Sequence, residues 1–420
     1  MAEVTVLRAA RWCDVEAGEV RSPGVVVVEG NQITAVDPAQ VPAGANELDL
    51  GDVTLLPGLM DMELNMLIGG PGGPDGLPDP MHGVKDSPVY RALRGAVNCR
   101  TTLMAGFTTV RNLGLMVYTA GFLLDVDLAK AVDLGWFPGP RIVPAGHAIT
   151  PTGGHLDPTM FQGLAPGIMP QSVEQGIANG VAEVRHAVRY QIKYGAKLIK
   201  ISASGGVMSF SSAAGCQQYS DEELAAIVDE AHRNGLRVAA HAHGDAAIRA
   251  CVLAGVDCIE HGSLASDETL ALMAECRTFL VGTTALADHM AVDRIHPILQ
   301  KKAAEIFPQA RRMFGKALAA GVRIACGSDA PAIPHGTQAD ELIAMVDRGM
   351  TPLQALRAAT VTSAELIERA HDLGRLAPGY LADVIAVPGN PAEDIAVTKD
   401  VRFVMKDGTV YKGGAPGRGD

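Results

Sequence analysis

The feature that most constrains this chain is a series of short apolar runs, each ending in a side chain able to ligate a metal or move a proton. Three follow one another between Leu198 and His261: Leu198-Ile-Lys-Ile-Ser, Val238-Ala-Ala-His-Ala-His-Gly and Asp257-Cys-Ile-Glu-His-Gly. A fourth, Val322-Arg-Ile-Ala-Cys-Gly-Ser-Asp, ends the same way. Helix-like or turn sequence separates them, the pattern of parallel strands whose carboxyl ends face one site. Lys200, His241, His261 and Asp329 are therefore expected to converge, and that mixture of side chains points to a metal site.

Strand-like and helix-like segments alternate through the middle of the chain with a period suited to βα units. Strands are predicted over residues 54–64, 108–113, 141–145, 198–202, 237–243, 258–261, 279–282 and 323–328. Two intervening helices carry clear start signals. Ser220 precedes an acidic first turn that runs to a stop at Asn234-Gly, and Thr351 precedes a proline at the first helical position. The fold class expected is α/β, a (β/α)8 TIM barrel over residues 58–374. The ends read differently, as short β-branched strands around Glu29-Gly-Asn and Asp407-Gly turns. Neither end can bury a sturdy core alone, so residues 1–57 and 375–420 are expected to meet as one composite β-sandwich. The Gly- and Pro-rich segment 69–88 follows the first barrel strand, where loops shape a substrate pocket.

Composition excludes several classes of function. The 420 residues are 48% apolar, enough for a large core, and carry a net charge of −12 with no basic patch. Nucleic acid and anionic membrane surfaces are thus not expected as partners; a small-molecule substrate is. No run reaches the ~18 apolar residues of a membrane span, and the first residues lack the order of a signal peptide, so the expected location is the cytoplasm. The seven cysteines contain no C-x-x-C pair and read as reduced core residues.

Leu56-Pro-Gly-Leu-Met-Asp-Met, Gly106-Phe-Thr-Thr-Val-Arg-Asn, Ala240-His-Ala-His-Gly, Ile259-Glu-His-Gly, Gly327-Ser-Asp-Ala and Gly379-Tyr-Leu-Ala-Asp together resemble the amidohydrolase superfamily over nearly the whole chain. The flavour is that of the imidazolonepropionase-like branch, which holds Xaa-Pro dipeptidases, ochratoxin-type amidases, and phenylurea and thiocarbamate hydrolases. The resemblance implies hydrolysis of an amide, urea or carbamate C–N bond by metal-activated hydroxide. It also implies an even-numbered homo-oligomer. One departure is large: the first strand of the family ends in His-x-His, both metal ligands, and here Glu63 and Asn65 stand at those positions. Glu is a competent oxygen ligand and the Asn carbonyl a weak one, which leaves the count of one or two metals open.

By the same resemblance Lys200 matches a lysine whose carbamate bridges two metals, His241 and His261 match metal ligands, and Asp329 matches the residue that contacts metal and acts as general base. Zinc is the default ion, with Mn, Co or Fe also compatible with oxygen ligands. His243, two residues beyond His241, is expected to polarise the substrate carbonyl rather than bind metal. His155, Tyr219, His289 and His335 follow predicted strands and are candidate substrate contacts, each equally able to be structural. Arg111 either grips a substrate carboxylate or braces the barrel rim. Two rival readings remain: a one-metal deaminase or dehalogenase acting on a heteroaromatic ring, and a degenerate ligand-binding barrel.

Overall fold

The computed structural model describes residues 4–69, 86–115, 119, 121–157, 172–210 and 213–413. Eight parallel strands form the middle of the α/β fold: β1 (Leu59–Leu64), β2 (Phe107–Asn112), β3 (Arg141–Pro144), β4 (Ile199–Ser202), β5 (Val238–Ala242), β6 (Cys258–His261), β7 (Phe279–Val281) and β8 (Arg323–Ala325). They are laddered in the orders β3-β2-β1 and β4-β5-β6-β7-β8. Backbone hydrogen bonds also link the two groups. Lys197 N donates to Pro144 O and Ser202 N to Ile149 O, while Met62 N donates to Cys326 O and Asn65 N to Ala330 O. No helix among the described residues is long and apolar enough to cross a membrane.

Alternation along the strands decides what faces the helices. Ile199, Ile201, Val238, Ala240, Ile259, Leu280 and Ile324 share one cluster with helical Val184, Leu224, Ile227, Ile248, Leu270 and Phe314. With a period of two, Lys200, His241 and Glu260 take the opposite face. The helices begin where the sequence signals them. Ser220 and Glu223 form a reciprocal capping box on Asp221–Arg233, and Thr351 and Gln354 do the same for Pro352–Arg357. Each cap satisfies backbone N–H groups that the helix leaves open and is worth about 1 kcal/mol.

Both chain ends share one six-stranded sheet. Thr409–Lys412, Phe403–Lys406 and Val384–Pro388 pair onward to Val53–Pro57, Arg11–Asp14 and Glu19–Arg21. A second sheet of four strands lies between Val4 and Asp49. Leu7, Trp12, Val26, Ile33, Leu55, Val384 and Phe403 fill a cluster common to both. The single strand expected over residues 54–64 is in fact two. Val53–Pro57 joins the six-stranded sheet and Leu59–Leu64 becomes β1, with the break at Gly58. A Cβ on Gly58 would lie 2.1 Å from Thr108 Oγ1, so only glycine lets the chain pass β2 this closely. Most of the 69–88 segment, residues 70–85, lies outside the described residues.

Two buried polar features among the strands carry measurable stability. Arg111 on β2 pairs with Glu260 on β6 at 2.9 Å, both almost wholly buried. Replacing Arg111 with Met strands the carboxylate and is expected to cost roughly 3–5 kcal/mol in urea denaturation, with much of that recovered when Glu260 is also replaced by Met. His147 is fully buried with Nε2 2.8 Å from Thr119 Oγ1, and burial lowers its pKa from 6.5 to about 4. Between those values the unfolded chain binds the extra proton, so stability falls as pH drops. The expected loss is about 3 kcal/mol from pH 6.5 to 4, absent in His147→Gln when urea midpoints are compared across that range.

Candidate metal centre

The carboxyl ends of β5 and β6 bring three imidazoles together. The ring centroids of His241, His243 and His261 are each 4.8 Å from the other two. One ring nitrogen from each lies within 4.8 Å of the others, and all three residues are buried. Strand alternation delivers His241 directly, because its neighbours Ala240 and Ala242 face the helices. His261 has the parity of helix-facing Ile259 and would point the wrong way. It adopts a left-handed backbone with φ of 70° that turns it towards the other rings. Thr283 beyond β7 (φ 43°) and Asp329 beyond β8 (φ 55°) are also left-handed, a strained state for residues with a Cβ.

Each outer nitrogen that has a partner is held in place. His243 Nδ1 lies 2.9 Å from Ser263 Oγ and His261 Nδ1 lies 2.7 Å from Thr283 Oγ1. His241 Nε2 lies 3.3 Å from Gly205 O. Thr283 is steadied by Glu341, whose two oxygens accept from the next backbone groups, Thr284 N at 2.8 Å and Ala285 N at 2.7 Å. Burial lowers the pKa of His243 to about 4 and those of His241 and His261 well below the ordinary value. All three are therefore neutral near pH 7, the form that offers a lone pair to a metal. Three neutral imidazoles at one point fit one divalent ion with a position left open, the pattern of a catalytic zinc site.

Carboxylates and one ammonium flank the rings. Glu63 Oε1, from β1, is 3.5 Å from Lys200 Nζ and 3.5 Å from His261 Nε2, while Glu63 Oε2 is buried without a hydrogen-bond partner among the described residues. Burial raises the Glu63 carboxyl well above the usual range; Lys200 opposes this, and Glu260 and Asp329 reinforce it. Asp329 is anchored through its backbone, donating to Glu63 O at 2.7 Å. Asp61 accepts from Ser328 N at 3.0 Å and from Ser328 Oγ, which fixes the turn carrying Asp329. Burial, then Asp61 and Glu260, push the Asp329 carboxyl up to about 7 against the pull of Lys200.

The remaining candidates separate. His155 joins the site, its ring centroid 4.1 Å from that of His241 and its Nδ1 without a partner among the described residues. Gly206 makes this possible, since a Cβ there would fall 2.3 Å from the His155 ring. His335 is buried, with Nε2 3.3 Å from Ile68 O. Asn65 is directed to the backbone: Nδ2 donates to Gly114 O at 2.9 Å and Oδ1 accepts from Leu67 N at 3.1 Å. Three candidates left open between substrate contact and a structural role are not among the converging rings. Arg111 is a brace inside the strand layer, donating to Met62 O at 2.7 Å as well as to Glu260. Tyr219 is buried in the cluster with Val184 and Leu224, its hydroxyl donating to Ala178 O at 3.1 Å. His289 ends the short helix Leu286–His289 on the exposed surface. Ser263, Thr283, Glu260 and Glu341 do not stand out in the sequence. Only Glu260, inside the Ile-Glu-His-Gly motif, carries a local signal.

The amidohydrolase family model matches residues 54–412. The ochratoxinase of Aspergillus niger is 38% identical over 384 residues, covering 87% of this chain and 76% of the relative. Among solved structures, a Xaa-Pro dipeptidase with bound methionine in the active site superposes with a TM-score of 0.89 at 36% identity, over 98% of this chain and 100% of the other. A prolidase complexed with N-methylphosphonate-L-proline gives a TM-score of 0.87 at 34% identity, over 97% and 99%. The chain belongs to the amidohydrolase family and is a hydrolase acting on carbon–nitrogen bonds.

Proposed function

We propose that the protein hydrolyses the amide C–N bond of a small, dipeptide-like molecule at a zinc-type centre formed by His241, His243 and His261. The observation that carries this is the convergence of three buried imidazoles at the carboxyl ends of β5 and β6. The prolidase, Xaa-Pro dipeptidase and ochratoxinase relatives support the amide class. A divalent ion, when bound, lowers the pKa of water from about 15.7 to roughly 7 and polarises the scissile carbonyl. Asp329 accepts the proton of the attacking water and delivers it to the leaving nitrogen, and a carboxyl near pH 7 suits both directions of transfer. His155 and His335 contact the substrate beside the imidazoles. In this reading the eight strands close into a (β/α)8 barrel over residues 58–374, and residues 1–57 and 375–420 form its composite β-sandwich. The bonds from β3 to β4 and from β8 to β1 support the closure.

The test is a panel of Xaa-Pro dipeptides, N-acyl amino acids and phenylureas incubated with zinc-loaded and chelator-treated protein, with the released amine quantified by chromatography. Cleavage of the dipeptide or N-acyl members by the loaded protein alone is expected, and no C–N cleavage on any member contradicts the proposal. Asp329→Asn is expected to lower kcat by about 10²–10⁴ while circular dichroism stays unchanged. Thr283→Val removes the partner of His261 Nδ1 and is expected to weaken zinc affinity by roughly 10- to 100-fold, read by competition with a chromophoric chelator.

A further inference from the structure

We propose that Glu341, which contacts none of the three imidazoles, is a positioning residue for the metal centre. It acts on His261 through Thr283, by fixing the backbone that carries that hydroxyl. The inference rests on the centre proposed above and adds a residue from a different βα unit to it.

His261 Nδ1 lies 2.7 Å from Thr283 Oγ1, so the direction of the ring follows the place of that hydroxyl. Thr283 has a φ of 43°, a conformation that a β-branched residue holds only where its surroundings enforce it. Glu341 supplies the enforcement. One of its oxygens accepts from Thr284 N at 2.8 Å and the other from Ala285 N at 2.7 Å. A single bond would let the turn pivot; one bond to each of two successive N–H groups fixes both peptide planes. The turn is closed on another side by Gly282, where a Cβ would fall 3.0 Å from the Phe314 ring. Beyond it, the short helix Leu286–His289 is tied down through Asp288, 2.8 Å from Arg311. Glu341 itself is fully buried in the helix Ala339–Asp347 that follows β8. Its hydrogen-bond partners among the described residues are those two N–H groups. Packing alone would be better served by an apolar side chain, because burying a carboxylate is costly. What the carboxylate adds is direction.

The experiment uses the full chain, stripped with chelator and titrated with zinc alone in competition with a chromophoric chelator. Burial raises the Glu341 carboxyl to about 8, so the titrations are run at about pH 8.5, where both oxygens accept. Wild type, Thr283→Val, Glu341→Gln and the double variant form a cycle. The Gln amide turns a donor towards one of the two N–H groups. In the wild-type background Glu341→Gln is expected to weaken zinc binding by about tenfold; in the Thr283→Val background it is expected to add less than about twofold. Thr283→Ser, which keeps the hydroxyl, is expected to preserve the sensitivity to Glu341→Gln. A residue that only supports the fold would weaken zinc by the same factor in both backgrounds. That additivity, or zinc affinity unchanged in Glu341→Gln, would overturn the inference and leave the metal centre standing. Should Glu341→Gln not fold, Glu341→Asp, which keeps the carboxylate with a shorter reach, takes its place in the cycle under the same criteria. Wild-type protein that binds no zinc would remove the centre itself, and this inference with it.

Discussion

Everything at the carboxyl ends of the strands depends on keeping three imidazoles out of water and uncharged. A protonated ring here would face two other rings and the Lys200 ammonium at close range, so burial and neighbouring charge work in the same direction. The price of that burial is that each ring needs its outer nitrogen satisfied, and the hydroxyls of Ser263 and Thr283 do this for His243 and His261. Thr283 in turn sits in a left-handed backbone that Glu341 stabilises through the two following N–H groups. A carboxylate in a distant helix thus helps to set the direction in which His261 offers its lone pair.

Much of this was readable in the residues, and what was not has a physical reason. Lys200 and His241 announce themselves because period-two alternation leaves them on the face opposite the helix-packing Ile and Ala residues. His261 is found by its motif although alternation alone would place it with Ile259; the left-handed φ that reorients it is invisible in a strand pattern. Arg111 was left open between substrate anchor and brace because its partner Glu260 lies 149 positions further on, and pairing across a layer of parallel strands leaves no local trace. Tyr219 lies in the segment between β4 and the next helix, yet its ring packs with the cluster that the helices share. The start of β1 was misplaced because Val53–Pro57 and Leu59–Leu64 form one continuous apolar run, and only the approach to Thr108 shows that Gly58 divides two sheets.

The altered end of β1 is where this chain departs most from the pattern its family resemblance implies. Two histidines become a carboxylate and an amide, and both substitutions are absorbed by the protein itself. Asn65 joins two strand ends through the backbone, and Glu63 lies 3.5 Å from both Lys200 Nζ and His261 Nε2. Beneath them, Arg111 and Glu260 form a buried ion pair. His155 lies against the imidazoles, its ring centroid 4.1 Å from that of His241.

The most direct test of the account is X-ray absorption at the zinc edge of the loaded protein, which reads the first coordination shell and any neighbouring metal. The expected shell is zinc with three imidazole nitrogens at about 2.0–2.1 Å and one further light ligand. A shell dominated by oxygen with fewer than three imidazoles would contradict it.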